Sequence, residues 1–374
     1  MLRLQKLSSH MPVAAMIVAL LLVTLASFSL PAAAQRAQPT ILTSDIADIS
    51  PFTDANLVNP WGIAASPAGP WWVSDNGTGL STLYDGTGKP QALVVTVLPA
   101  SGSGTGDPTG VVFNNTSDFK IGGNNSVFLF ATEDGTIQGW GSGTSTAIGA
   151  NMSGAGAVYK GLALGSAGGA NYIYAADFHN SKVDVYDKNF TLHSFGAGAF
   201  TDPNLPSGYG PFNVVNLGNG QIAVTYAKQD ADKHDDVKCT GCGYITVYDS
   251  SGNLMFRYQH VIYDNGPWAM VVAPDGFGGF GGDVLVGMFG NGAIAVYSPA
   301  GNFLGILFDP YDVNLSLNGL WGLGFGNGTS SGPKTTLYFA AGTFDEAHGT
   351  FGSIVALSGP GNAGKTQVNI LKKW

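Results

Sequence analysis

Polar residues of a few chemical kinds recur beside short apolar runs along this chain, and their types set what chemistry it could do. Asn59, Asp107, Lys160, Tyr209, Asn265 and Asn318 each lead into such a run, while Asp75, Asn76, Glu133, Asp134, Asp177, His179, Asp345 and His348 each follow one. Clustered carboxylates are what a hard divalent cation requires. Asp75, Glu133, Asp177 and His179 are therefore the candidate ligands of an ion such as Ca2+, and no other cofactor is implied. Asn59, Asp75, Asn76, Asp107, Glu133, Asp177, His179, Asn265, Asn318 and His348 are the candidate groups of a polar ligand cleft. The plainer reading is that Asp and Asn after strands form turns.

Other strings carry less. "GPGNAGKT" at 359–366 fits the phosphate-loop pattern, but a helix must follow so that its N-terminus and amides hold phosphate. Only eight residues remain after Thr366. "GFGGFG" at 276–281 has dinucleotide-loop spacing with no βαβ unit around it, and reads as a long hairpin loop. "QDADKHDD" at 229–236 gathers Asp230, Asp232, Asp235 and Asp236, but lacks the glycine an EF-hand needs at its sixth position, and reads as a solvated acidic loop. Cys239 and Cys242 in "CTGC" suit a local disulfide in an exported protein, with free thiols or a metal as alternatives. Of the six histidines, His10 lies in the leader, and His193, His234 and His260 join no catalytic pattern. No G-x-S-x-G elbow is present.

The elements that must position these groups show as a repeat. "NPWGIA" at 59, "DPTGVV" at 107, "YKGLAL" at 159, "GPFNVV" at 210, "GPWAMV" at 266 and "NGLWGL" at 318 open six units. Second runs follow ("WWVSD", "FLFAT", "YIYAA", "QIAVTY", "VLVGMF", "LYFAA"), then third runs ("STLYD", "TIQGW", "KVDVYD", "YITVYD", "AIAVYS", "SIVAL"). Short Val, Ile, Tyr and Phe runs bounded by Gly, Asp and Asn are strands joined by turns. Units of about 50 residues with about four strands are propeller blades. The expected fold is all-β: a six-bladed β-propeller of four-stranded antiparallel blades over 35–358. "PTILTSDIAD" at 39–48 closes the last blade, in preference to the C-terminal "TQVNILKKW". Loops between second and third strands then share one face with the segments leading into the innermost strands. That places the candidate residues at one mouth of the central channel.

Composition agrees. The 374 residues include 55 Gly, with 44% apolar and 11% charged, which suits many short strands and a large core. The net charge is −9 and no basic run exceeds Lys372–Lys373, which disfavours nucleic acid. Residues 1–34 read as a signal peptide: Arg3 and Lys6, an apolar Met11–Leu30, then "PAAAQ". An uncleaved anchor is the rival. The mature chain is expected to be secreted, periplasmic or at the cell surface, outside the membrane, monomeric, and free of nucleotide. Residues 359–374 form a tail.

"NLVNPWGIA" at 56–64, "SDNGTGLSTLYDGTG" at 74–88, "DPTGVVFN" at 107–114 and "HGTFGSI" at 348–354 resemble a bacterial family of uncharacterised secreted propellers. The chain more distantly resembles NHL-repeat propellers, a group that includes lactonases, lyases and binding proteins. The resemblance implies fold and export but no activity. The expected function is a non-catalytic extracellular scaffold that binds a protein, glycan or other ligand. The alternative is a metal-assisted hydrolase or lyase of the lactonase kind with an ion in the channel.

Overall fold

Each Gly- or Pro-led opening forms the innermost strand of a blade. The computed structural model describes residues 36–357, and the innermost strands are Pro60–Ala65, Pro108–Phe113, Tyr159–Ala167, Tyr209–Gly218, Pro267–Val272 and Leu320–Phe325. Outside them, in antiparallel order, come Trp71–Asp75, Phe128–Thr132, Ala170–Asp177, Gln221–Lys228, Val284–Met288 and Leu337–Thr343. The third strands are Leu80–Tyr84, Thr136–Trp140, Lys182–Tyr186, Gly243–Asp249, Ile294–Tyr297 and His348–Ala356. The architecture is a six-bladed propeller. Helical structure among the described residues is confined to two 3-10 turns, Asn76–Thr78 and Ser153–Ala155.

Blades 1 to 5 complete themselves with a fourth strand from the following sequence. Blade 6 takes its fourth strand from the other end of the chain. Ala37–Ser44 runs antiparallel to His348–Ala356, from Ala37 opposite Ala356 to Ser44 opposite Thr350. The expected N-terminal closure is thus present, and it covers a sheet edge that would otherwise be open to pairing. The rival C-terminal donor, the leader and the phosphate-loop-like string lie outside the described residues.

One local device recurs in every blade. The pairing of innermost with second strand slips at Pro60/Ile63, Pro108/Val111, Tyr159/Leu162, Pro211/Asn213, Pro267/Ala269 and Leu320/Leu323. A bulge re-aims the residue inside it. Inside the slips sit Trp61, Thr109, Lys160, Phe212, Trp268 and Trp321, one per blade. Trp61 and Trp321 stack at 3.6 Å, Phe289 stacks on Trp321 at 3.8 Å, and Trp268 meets both tryptophans edge-on at 6.2 and 5.6 Å. In five blades the next residue is Gly or Ala, because backbones converge there; blade 4 has Asn213, whose Nδ2 donates to the Trp268 carbonyl at 2.9 Å. A Cβ on Gly62 would lie 2.7 Å from the Thr109 carbonyl oxygen, and one on Gly322 2.5 Å from that of Trp61. This explains the repeated Trp-Gly pairing in the sequence.

Candidate functional site at the channel mouth

Lys160 is the only ionisable side chain in this ring of bulge residues. Its side chain is 1% exposed, and its ammonium lies 5.2 Å above the Trp61 ring and 6.0 Å from that of Phe178. A buried ammonium needs partners, and it has two. It pairs closely with Glu133 Oε1 from the loop after the second strand of blade 2, and with Asp235 Oδ1 at 2.9 Å from the corresponding loop of blade 4. The network continues on both sides. Asn76 Nδ2 donates to Glu133 Oε2 at 2.9 Å, Asn59 Nδ2 donates to Asn76 Oδ1 at 3.3 Å, and His234 Nδ1 lies 3.1 Å from Asp235. Groups from four blades therefore join in one chain above the aromatic layer. Burial alone would depress the Lys160 ammonium, but Glu133 and then Asp235 outweigh it and hold it above its ordinary value. Burial likewise acts to raise the Asp235 carboxyl, yet Lys160 keeps it below the usual range.

A second group of charges faces this network. Trp321 Nε1 donates to Glu346 Oε1 at 3.2 Å, and Lys238 Nζ sits 4.6 Å over the Phe289 ring. Glu346 follows Phe344 and Asp345 in a run of three residues with positive φ, a conformation non-glycine residues adopt only when their surroundings enforce it. Burial raises the Glu346 carboxyl, against the pull of Lys238. Three side-chain atoms here are buried without a hydrogen-bond partner: Asn59 Oδ1, Trp61 Nε1 and Asp236 Oδ2.

The four groups expected to share an ion are not brought together. Asp75 is wholly buried and turned into blade 1, where its Oδ2 accepts from the Thr82 amide and hydroxyl at 3.0 and 2.7 Å. Burial raises its carboxyl well above the ordinary range. Asp177 caps a turn, accepting from the Val158 and Asn180 amides at 3.3 and 3.2 Å. His179 lies beside Gly156. Among the described residues, the one set of three His, Cys, Asp or Glu ligand atoms within 4.8 Å of each other is Glu133, His234 and Asp235. Asp107 sits at the surface, where partial desolvation of its carboxyl and then Glu133 raise it. Asn318 and Asp345 are exposed. Asn265 accepts from the Cys239 amide at 2.9 Å. His348 pairs with Asp45 at 2.6 Å, just after the closing strand.

The relatives of this chain fit the same architecture. The uncharacterized protein L690 of Acanthamoeba polyphaga mimivirus is 30% identical over 319 residues, which cover 81% of each chain. The chain belongs to that protein's family. No protein-family model matches it, and these relatives are viral where the motifs suggested bacterial ones. Among solved structures, a protein of unknown function from Bacteroides thetaiotaomicron superposes with a TM-score of 0.54 at 12% identity, over 85% of this chain and 76% of that one. A streptogramin B lyase does so with 0.51 at 10% identity, over 86% and 97%. At such identities the likeness shows the propeller fold alone.

Sequence reasoning missed Asp235, Asp236, His234, Lys238 and Glu346 as mouth residues. The signal was present: residues 229–242 connect Gln221–Lys228 to Gly243–Asp249, so this long loop belongs on the same face as Glu133. The loop is solvated as expected, with Asp232, His234 and Asp235 exposed, but it also reaches the axis, where Asp235 pairs with Lys160. Cys239 and Cys242 are joined by a disulfide within it, while "GFGGFG" is a hairpin loop that buries Phe277 and Phe280.

Asp236 supplies a pH test. Burial pushes its carboxyl up to about 7, with Lys160 and Lys238 opposing and Glu346 and Asp235 assisting. An unfolded aspartate releases its proton near pH 4. The folded state therefore binds the extra proton between about pH 4 and 7, and stability falls as pH rises through that window. Asp236→Asn is expected to flatten this slope and to gain about 2–3 kcal/mol at pH 8 relative to the parent. Denaturant midpoints at pH 5 and 8 check it; parallel pH profiles would refute it.

Proposed function

We propose that this protein is an exported, non-catalytic binding propeller whose ligand engages the mouth around Lys160. The observation that carries the reading is the position of the Lys160 ammonium. It lies between Glu133 and Asp235, where a divalent ion would have to sit to use the one such ligand set among the described residues. An ion there must first displace a buried, paired ammonium. Beneath it the stacked Trp61, Trp321 and Phe289 close the axis, so the mouth is a shallow charge-paired surface over aromatic rings. Asn59 Oδ1, Trp61 Nε1 and Asp236 Oδ2 lack partners. Such groups cost about 1–3 kcal/mol each while unsatisfied, and a ligand that lifts the 229–242 loop and pairs with them recovers that cost. A peptide or glycan with amine, amide or hydroxyl groups has the required chemistry. Export rests on the leader-like sequence of residues 1–34.

The metal-assisted hydrolase or lyase is the second reading, favoured by the convergence of Glu133, His234 and Asp235. Elemental analysis and melting curves with EDTA, Ca2+ or Mg2+ separate the two. The binding reading expects no stoichiometric metal and no change on chelation. A bound ion whose removal lowers the melting temperature by several degrees, as about 2.7 kcal/mol of linkage produces, would replace it with the catalytic one.

A further inference from the structure

Below the aromatic layer the axis opens again, at the end away from Lys160. A cavity of about 540 Å³ lies there. Its walls follow the repeat: two residues past each bulge residue stand Ile63, Val111, Leu162, Val214, Met270 and Leu323, one per blade. Its inner end is formed by the small residues between the two layers, such as Gly62, Gly110 and Gly322, with Trp268. Its rim carries amides and hydroxyls, among them Asn115, Asn171, Asn216, Asn219 and Ser166. No Asp, Glu, Lys, Arg or His lines it, in contrast to the mouth.

We propose that this cavity is a second binding site, for an uncharged amphipathic small molecule. Its aliphatic or ring portion fills the six-blade apolar layer, and its hydroxyl or amide groups meet the asparagine rim. The volume falls in the range of small-molecule sites, which pair apolar walls with a few polar groups. A charged ligand would lose its hydration there with no opposite charge lining the cavity, the Asp118 carboxylate behind the rim being engaged by Asn171. The fold also has the means to fill this space, as it fills the layer above with Trp61, Trp268, Trp321 and Phe212; one layer lower it places Gly and Ala at the axis and branched aliphatic side chains around it. At the rim, Asn216 Nδ2 donates to the Leu164 carbonyl at 2.8 Å and Asn171 Nδ2 to Asp118 at 2.9 Å. The amides of Asn115 and Asn219 are exposed and engage no protein partner among the described residues.

The test uses three probes with one tail and different heads: octyl β-glucoside, octyl sulfate and octyltrimethylammonium, each titrated calorimetrically below its micelle concentration. The glucoside is expected to bind at one site per chain, and both charged probes about tenfold more weakly or worse. Val112→Trp and Val215→Trp, which add bulk to the lining from blades 2 and 4, are expected to abolish glucoside binding. Asn219→Asp, which adds rim charge without volume, is expected to weaken it several-fold. If one tryptophan variant fails to fold, the other and Asn219→Asp still report. No saturable glucoside binding, equal binding of all three heads, or folded variants that bind like the parent would each overturn the proposal.

Discussion

Removing Ala37–Ser44 is expected to abolish cooperative folding or to lower the melting temperature by more than about 10 °C, since a loss of a few kcal/mol already shifts a domain this size by several degrees. This strand carries the whole closure of the ring. It pairs along its length with His348–Ala356, Ser44 Oγ donates to the Gly349 carbonyl at 2.9 Å, and the Ala37 amide donates to that of Phe308 in blade 5 at 2.8 Å. Arg36 adds a 3.1 Å pair with Asp312. Without the strand, His348–Ala356 becomes an unpaired edge, a template for aggregation. Circular dichroism melts and size exclusion of a chain starting at Asp45 provide the measurement. An unchanged melting temperature would mean that another segment closes blade 6. Asp45→Ala removes the His348 contact and the carboxylate oxygen that accepts from the Gly349 amide at 2.9 Å but leaves the strand paired, and should cost far less, which separates loss of the strand from loss of its latch.

The blades were legible because their information is local. "NPWGIA", "GPWAMV" and the other openings have the length, bounding turns and β-branched content that make a strand wherever they occur, and all six lie on innermost strands. The terminal strand was legible by elimination, since a blade with three strands lacks a fourth. The site was less legible because it depends on where each second strand ends and how far its loop reaches. Asp75 and Asp177 are the last residues of their second strands, whereas Asn76 and Glu133, just past the strand ends, join the mouth although their turns are as short. The carboxylates of Asp75 and Asp177 stay in the blade and serve Thr82 and Asn180. The longer 229–242 loop crosses to the axis, and nothing in its composition distinguishes an acidic loop facing solvent from one folded onto a lysine. The bulge that turns Lys160 inward is a register event between two strands, also invisible in either strand alone.

Lys160 provides the most direct test of what the mouth is for. Lys160→Met keeps much of the side-chain volume and removes the charge. Glu133 and Asp235 then face each other without a cation, and Glu133 is largely shielded from water at 12% exposed. Breaking a buried pair typically costs 3–5 kcal/mol; because Asp235 is 66% exposed and water screens it, a loss of about 2–3 kcal/mol is expected. Glu133→Gln on the same background should recover part of it, because the remaining carboxylate no longer has a like charge beside it. The variant should also acquire a property the parent lacks. With the ammonium gone, Glu133, Asp235 and His234 can approach a common ion, so millimolar Mn2+ or Ca2+ is expected to raise the melting temperature of Lys160→Met by several degrees and that of the parent by none. Adding His234→Ala should diminish the Mn2+ response more than the Ca2+ response, because calcium prefers oxygen ligands. A parent protein that responds as strongly as the variant would show that Lys160 does not stand in for a metal, and the binding reading of the mouth would lose its main support.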